Sequence, residues 1–97
     1  MSFKTLLIED QRLVILRSLK EMQGYEANES IVDSCLDAYG HNVSRDQVRN
    51  HLAWLDEQGL ITIRTVSDCQ IARLTGRGED VATGQATVPG VKRPRAN

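Results

Sequence analysis

A mainly α-helical domain carrying one small β-hairpin is predicted by three observations. Apolar residues recur at helical spacing through the first sixty positions, with glycines where helices should end. Ser44-Arg45-Asp46-Gln47 reads as a capping box opening a third helix, with Val43 and Val48 as its hydrophobic staple. After Gly59 the pattern changes to Leu60-Ile61-Thr62-Ile63-Arg64-Thr65-Val66, rich in β-branched residues.

The segment Ser2 to Met22 contains neither Gly nor Pro and reads as helix throughout. Ile8, Ile15, Leu19 and Met22 fall near one face, widened by Leu16, while Leu6, Leu7, Leu13 and Val14 lie on others. Two readings stay open: a break near Glu9–Asp10, or one helix with a second face covered by a partner. Asn28 is suited to cap a second helix reaching Tyr39, with Ile31, Val32, Cys35, Leu36 and Tyr39 as its inward stripe and Gly40 at its end. The third helix runs from Ser44 to Gly59, with Leu60 folding back on its last turn. Ser67-Asp68 then makes a tight turn, and Gln70 to Leu74 returns as the second strand. Thr75 caps a short helix over about 77–86. The expected division is one domain over 1–86, with 1–9 as a possible helical extension and 87–97 as a flexible basic tail.

Helix, helix, capped helix, hairpin and short helix is the order of a winged helix-turn-helix, a three-helix core with a two-stranded wing. The turn Gly40-His41-Asn42-Val43 has the short, glycine-containing form that sets the second and third helices at a large angle. On the third helix, Val48, Leu52 and Leu55 face the core. Its first two turns present Gln47, Arg49 and Asn50, residue types that pair with base edges in the major groove, while Ser44 and Arg45 are placed for phosphates. Asp56 and Glu57 repel phosphate, so contact fades beyond about Ala53. The wing offers Arg64 and Arg73 to the flanking backbone or minor groove, and Lys92, Arg93 and Arg95 form either a basic arm or a solubilising end. The net charge of −1 divides unevenly, from −3 over residues 1–40 to +3 over 61–97, and nucleic-acid binding requires only a local basic surface. Each of these residues also has an ordinary reading as a solvated surface position.

His51-Leu52-Ala53-Trp54-Leu55-Asp56-Glu57-Gln58-Gly59-Leu60-Ile61 resembles the "HL..L...GLI" passage of ArsR- and MarR-type winged-helix regulators, and Leu74-Thr75-Gly76-Arg77-Gly78 resembles the "LT..G" that follows their wing. The resemblance covers roughly residues 10–85. It implies DNA contact by Ser44, Gln47, Arg49, Asn50 and His51, without the paired-cysteine metal box of the ArsR-type repressors. The whole chain, including Val88-Pro89-Gly90-Val91, is also similar to small proteins of Mu-like prophages.

Other chemistries find little support. Gly76-Arg77-Gly78 with Gly84 has the wrong spacing for a dinucleotide loop, and Cys35, Cys69, His41 and His51 lack zinc-finger spacing. Neither catalysis, a metal, a cofactor nor a small-molecule effector is expected. Two cysteines and the absence of a leader-like start point to a reduced, cytoplasmic protein. The expected function is a DNA-binding transcriptional regulator acting as a homodimer on double-stranded DNA. The alternative is a protein–protein adaptor that leaves DNA alone, favoured by the acidic first forty residues. Trp54 lies off the core face and is expected under an intramolecular or dimer contact rather than on DNA.

Overall fold

The computed structural model describes residues 2–95. Four α-helices and a three-stranded antiparallel sheet share one core: α1 (Phe3–Glu21), β1 (Glu26–Asn28), α2 (Glu29–Ala38), α3 (Arg45–Glu57), β2 (Ile61–Val66), β3 (Cys69–Leu74) and α4 (Gly76–Thr83). No described helix is long and apolar enough to cross a membrane.

The first helix is one unbroken rod capped by the Ser2 hydroxyl, which accepts from the Thr5 amide at 3.1 Å. Leu13, Val14, Ile15, Leu16 and Leu19 are all buried, so its middle is the axis of the core. The apolar excess over several faces arises because α2, α3, α4, the sheet and the chain end surround it. Its first two turns run past these neighbours, and Phe3 (85% exposed), Leu6 and Leu7 stand on the surface.

A tight turn at Gly24 and Tyr25, both at positive φ, leads into β1, an element the sequence reading did not expect. Three residues are too few to show a period, so only pairing with β3 defines the strand: Glu26 opposite Arg73, Ala27 opposite Ala72, Asn28 opposite Ile71. The hairpin β2–β3 pairs Ile61 with Leu74 through Val66 with Cys69, and Ser67 and Asp68 turn it with positive φ at both corners. The sheet order β1-β3-β2 puts the hairpin's returning strand in the centre.

The cap of α2 is as read, Asn28 Oδ1 accepting from the Ile31 amide at 2.8 Å. The inward stripe is narrower than expected. Val32 and Leu36 are buried and Cys35 is half-buried, whereas Ile31 and Tyr39 are exposed because α2 meets α1 and α3 along one edge only. Ser44 and Gln47 complete the capping box of α3 in both directions, at 3.1 and 2.9 Å. At its other end Gly59, at φ 74°, returns the chain so that the Leu60 amide donates to the Leu55 carbonyl at 3.0 Å. Thr75 caps α4, whose last residue is Thr83, three earlier than the sequence suggests, with Gly84 as its C-cap.

The chain end corrects the expectation of a flexible tail from residue 87. Val88 and Val91 are buried, the Arg12 guanidinium donates to the Gly90 carbonyl at 3.0 Å, and the Lys92 amide donates to the Glu9 carbonyl at 3.2 Å. Residues 88–95 thus form a strap along α1.

Candidate nucleic-acid interface

The face singled out by sequence is the start of α3, and the structure assigns its residues to different tasks. Ser44 and one oxygen of Gln47 serve the capping box. Gln47 keeps its amide nitrogen for an outside partner, as an amide carries donor and acceptor on separate atoms. Asn50 is exposed, with both amide atoms open. Arg45 is exposed and lies 3.7 Å from Asp33, a loose surface pair that a phosphate can displace.

Arg49 is committed within the fold. Its Nε and Nη2 donate to the two carboxylate oxygens of Glu29 at 2.6 and 2.8 Å, and Nη2 also donates to the Asp68 carbonyl at 2.8 Å. Glu29, only 2% exposed at the start of α2, additionally accepts from the Gln70 amide at 3.2 Å. Hydrogen bonds from Arg49 come first among the causes that hold the Glu29 carboxyl at about 2; the Gln70 amide and the charges of Arg49 and Arg45 add to them and outweigh burial. The same contact raises the Arg49 guanidinium above its ordinary value. One buried carboxylate therefore ties α2, α3 and the hairpin tip together. A bidentate arginine pair fixes angle as well as distance, so the hairpin is oriented beside the first turns of α3.

His51 is buried. Its Nε2 lies 2.8 Å from Gln11 Oε1, while Gln11 Nε2 lies 3.5 Å from His41 Nδ1 and His41 Nε2 lies 2.6 Å from Asp10 Oδ2. One proton assignment satisfies every contact: both Nε2–H groups donate, and His41 Nδ1 accepts from the glutamine. Burial, with the nearby charges of Arg12 and His41, pushes His51 down to about 4. It therefore faces any partner as a neutral ring. His41, placed by sequence in the turn before α3, is buried in this row.

The row floors a cleft of about 210 Å³ between α1 and α3, lined by Ile8, Gln11, Arg12, Gln47, Asn50 and His51. Arg12 stacks over the Trp54 ring with its guanidinium carbon 3.8 Å from the ring centre. Burial draws its pKa below the ordinary value, Glu9 opposing. Gly90, at φ 98°, passes close beneath the same ring: a Cβ there would lie 2.7 Å from Trp54. Trp54 is thus covered within the chain, by Arg12 and the strap.

The hairpin residues lie farther out. Thr62, Arg64, Ile71 and Arg73 line the outer sheet surface, where Arg64 pairs with Glu26 at 3.0 Å and Arg73 is exposed. The hairpin tip itself carries Ser67 and Asp68 and no cation. Lys92 pairs with Asp10 at 3.4 Å, and Arg93 and Arg95 follow it on the surface. The structure thus brings Ser44, Arg45, Gln47, Asn50 and His51 to one end of α3, with Arg49 beneath them, and leaves Arg64, Arg73 and the strap cations elsewhere. Gln11, Arg12, Glu29 and His41 shape the site but were missed. Only the position of Glu29 in the first turn of a capped helix hints at a role, and that position alone predicts exposure.

No protein-family model matches the chain. It is 59% identical over 90 residues to gp26, an uncharacterised protein of Escherichia phage Mu, with 93% of each chain covered. It is 58% identical over 78 residues to an uncharacterised protein of Haemophilus influenzae, covering 79% of this chain and 76% of the relative.

Proposed function

The chain belongs to the family of the phage Mu protein gp26, and within that family we propose that it is a DNA-binding regulator of winged helix-turn-helix design. In this reading α3 enters the major groove by its first two turns, and the β2–β3 hairpin is the wing. The observation that carries the reading is the clamp of Glu29, Arg49 and Asp68. It holds a helix start with an open amide at Asn50 and a free amide nitrogen at Gln47 rigidly against a hairpin, the pre-organisation that groove insertion requires. Base reading then falls to Asn50, suited to adenine, with Gln47 offering a single donor, Arg45 on phosphate and Arg49 positioning both elements.

The exposed stripe of Phe3, Leu6 and Leu7 supports a homodimer paired through the first turns of α1, which would present two copies of α3 to two half-sites. The same stripe suits an adaptor that docks on another protein, and this is the second reading.

Fluorescence anisotropy against a pool of labelled duplexes, titrated with salt, separates the two. A regulator binds at low salt, loses affinity steeply as salt rises, and loses its preference among duplexes in Asn50→Ala. No duplex affinity at low salt refutes the DNA reading and leaves the adaptor.

A further inference from the structure

Several cations on α3, the sheet and the strap are neutralised. Arg45, Arg49, Arg64 and Lys92 all face acids within 4 Å, and Arg12 lies on the Trp54 ring. The opposite side of α1 is different. Helical geometry advances about 100° per residue, so Arg17, Lys20 and Glu21 lie about half a turn around α1 from Ile8, Gln11 and Arg12, which face α3. On that outer side the strap brings Arg95 alongside Arg17 and Lys20, enclosing a cleft of about 320 Å³ closed on its far wall by Thr83 of α4. Glu21 is the one acid in its lining. Among the described residues, none of the three cations is held in an ion pair.

Two unneutralised cations of α1 and one of the strap, converging on a concave surface with one acid, make a local positive field on a molecule whose total charge is −1. A concave, low-dielectric wall concentrates such a field, and flexible ammonium and guanidinium groups suit an anion with several oxygens. The strap is what assembles the cleft: Val88 and Val91 anchor it, and the Lys92–Asp10 pair directs the following residues along α1.

We propose that this cleft is a second phosphate site, in which Arg17, Lys20 and Arg95 grip the phosphodiester backbone of a nucleic acid separately from α3. The proposal rests on the DNA-binding reading and extends it to another face. The backbone it holds belongs either to a flank of the same bent duplex, to a second duplex or to a single strand. α3 supplies sequence preference, and the cleft supplies affinity that is blind to sequence.

The test uses the full chain with labelled duplex and single-stranded oligonucleotides of equal length. Arg17→Gln with Lys20→Gln, and separately Arg95→Ala, are compared with Asn50→Ala; matched thermal unfolding confirms that each variant is folded. The double variant should bind at least about tenfold more weakly at low salt and show a log–log salt slope smaller by about two, with preference among duplexes kept. Arg95→Ala should reduce the slope by about one. Loss on duplex alone places duplex phosphates in the cleft, and loss on both substrates places a backbone there irrespective of pairing; either supports the proposal. Wild-type affinity and slope in both cleft variants overturn it while leaving the α3 reading intact. Absence of binding by the unaltered protein overturns both.

Discussion

The first two turns of α1, an N-terminal arm, and the C-terminal strap along the same helix are in opposite states. The arm is regular helix with three large apolar side chains, and they face solvent. The strap has almost no regular structure, yet it buries Val88 and Val91 and covers Trp54. The difference lies in the surface each meets. α1 has 19 residues and is about 28 Å long, against 10 residues in α2 and 13 in α3, so its first turns overshoot their neighbours. The strap lands where α1 and α3 leave an indole and a guanidinium stacked and a donor pointing outward. Order at a chain end follows from what it docks on.

The sharpest way to break this comparison is to remove the strap. Truncation after Thr87 should cost about 4 kcal/mol, from two buried valines and the uncovering of Trp54, read by chemical denaturation. If stability is unchanged, the strap is ornament and the contrast fails. Gly90→Ala should cost about 2 kcal/mol, because a Cβ must meet the ring at a backbone angle that disfavours it. Trp54 is the chain's single tryptophan, so its emission should shift red if the strap lifts.

The ground between arm and strap has its own signature. His51 has a folded pKa near 4, below the ordinary value of about 6.5. Above about pH 6.5 the ring is neutral in both folded and unfolded chains, and the full stability is present. As pH falls from there towards 4 the unfolded chain takes up a proton that the folded chain refuses, and stability drops by about 1–2 kcal/mol after discounting partial solvent access. Below about pH 4.3 the depressed carboxyl of Glu29 adds a further loss that continues towards pH 2. Unfolding curves across this range should show both slopes, and His51→Asn should flatten the upper one. The smallest effect belongs to the arm: Phe3→Ser with Leu7→Ser should move monomer stability by no more than about 0.5 kcal/mol. The same change should abolish any self-association seen by analytical ultracentrifugation, which ties the exposed stripe to assembly and not to folding.

Much of the local architecture is readable from single segments. The capping box at Ser44, the glycine stops at Gly40 and Gly59 and the caps at Asn28 and Thr75 all stand as their residue types require. The hairpin turn at Ser67-Asp68 is equally legible. The candidate site is less so. Arg49 has the residue type and position of a base reader, yet Glu29, twenty residues earlier, takes its Nε–Nη2 edge and the Asp68 carbonyl shares Nη2. His51 matches a DNA-contacting position by resemblance, yet Gln11, forty residues earlier, holds its ring in the interior. Ile31 and Tyr39 fit an inward stripe but stay largely exposed.

The sequence by itself determined where α2, α3 and α4 start, where α2 and α3 stop and where the hairpin reverses, because caps, staples and turns are settled by hydrogen bonds and contacts within about four residues. Tertiary structure alone decided that β1 exists, that α1 runs unbroken past its neighbours, that one carboxylate locks the hairpin to α3, and that the chain end is a strap. Those outcomes depend on partners as far apart as Arg12 and Gly90, separated by 78 positions. A polar side chain's task is set by which groups burial leaves within reach, and that is known only once the core has closed.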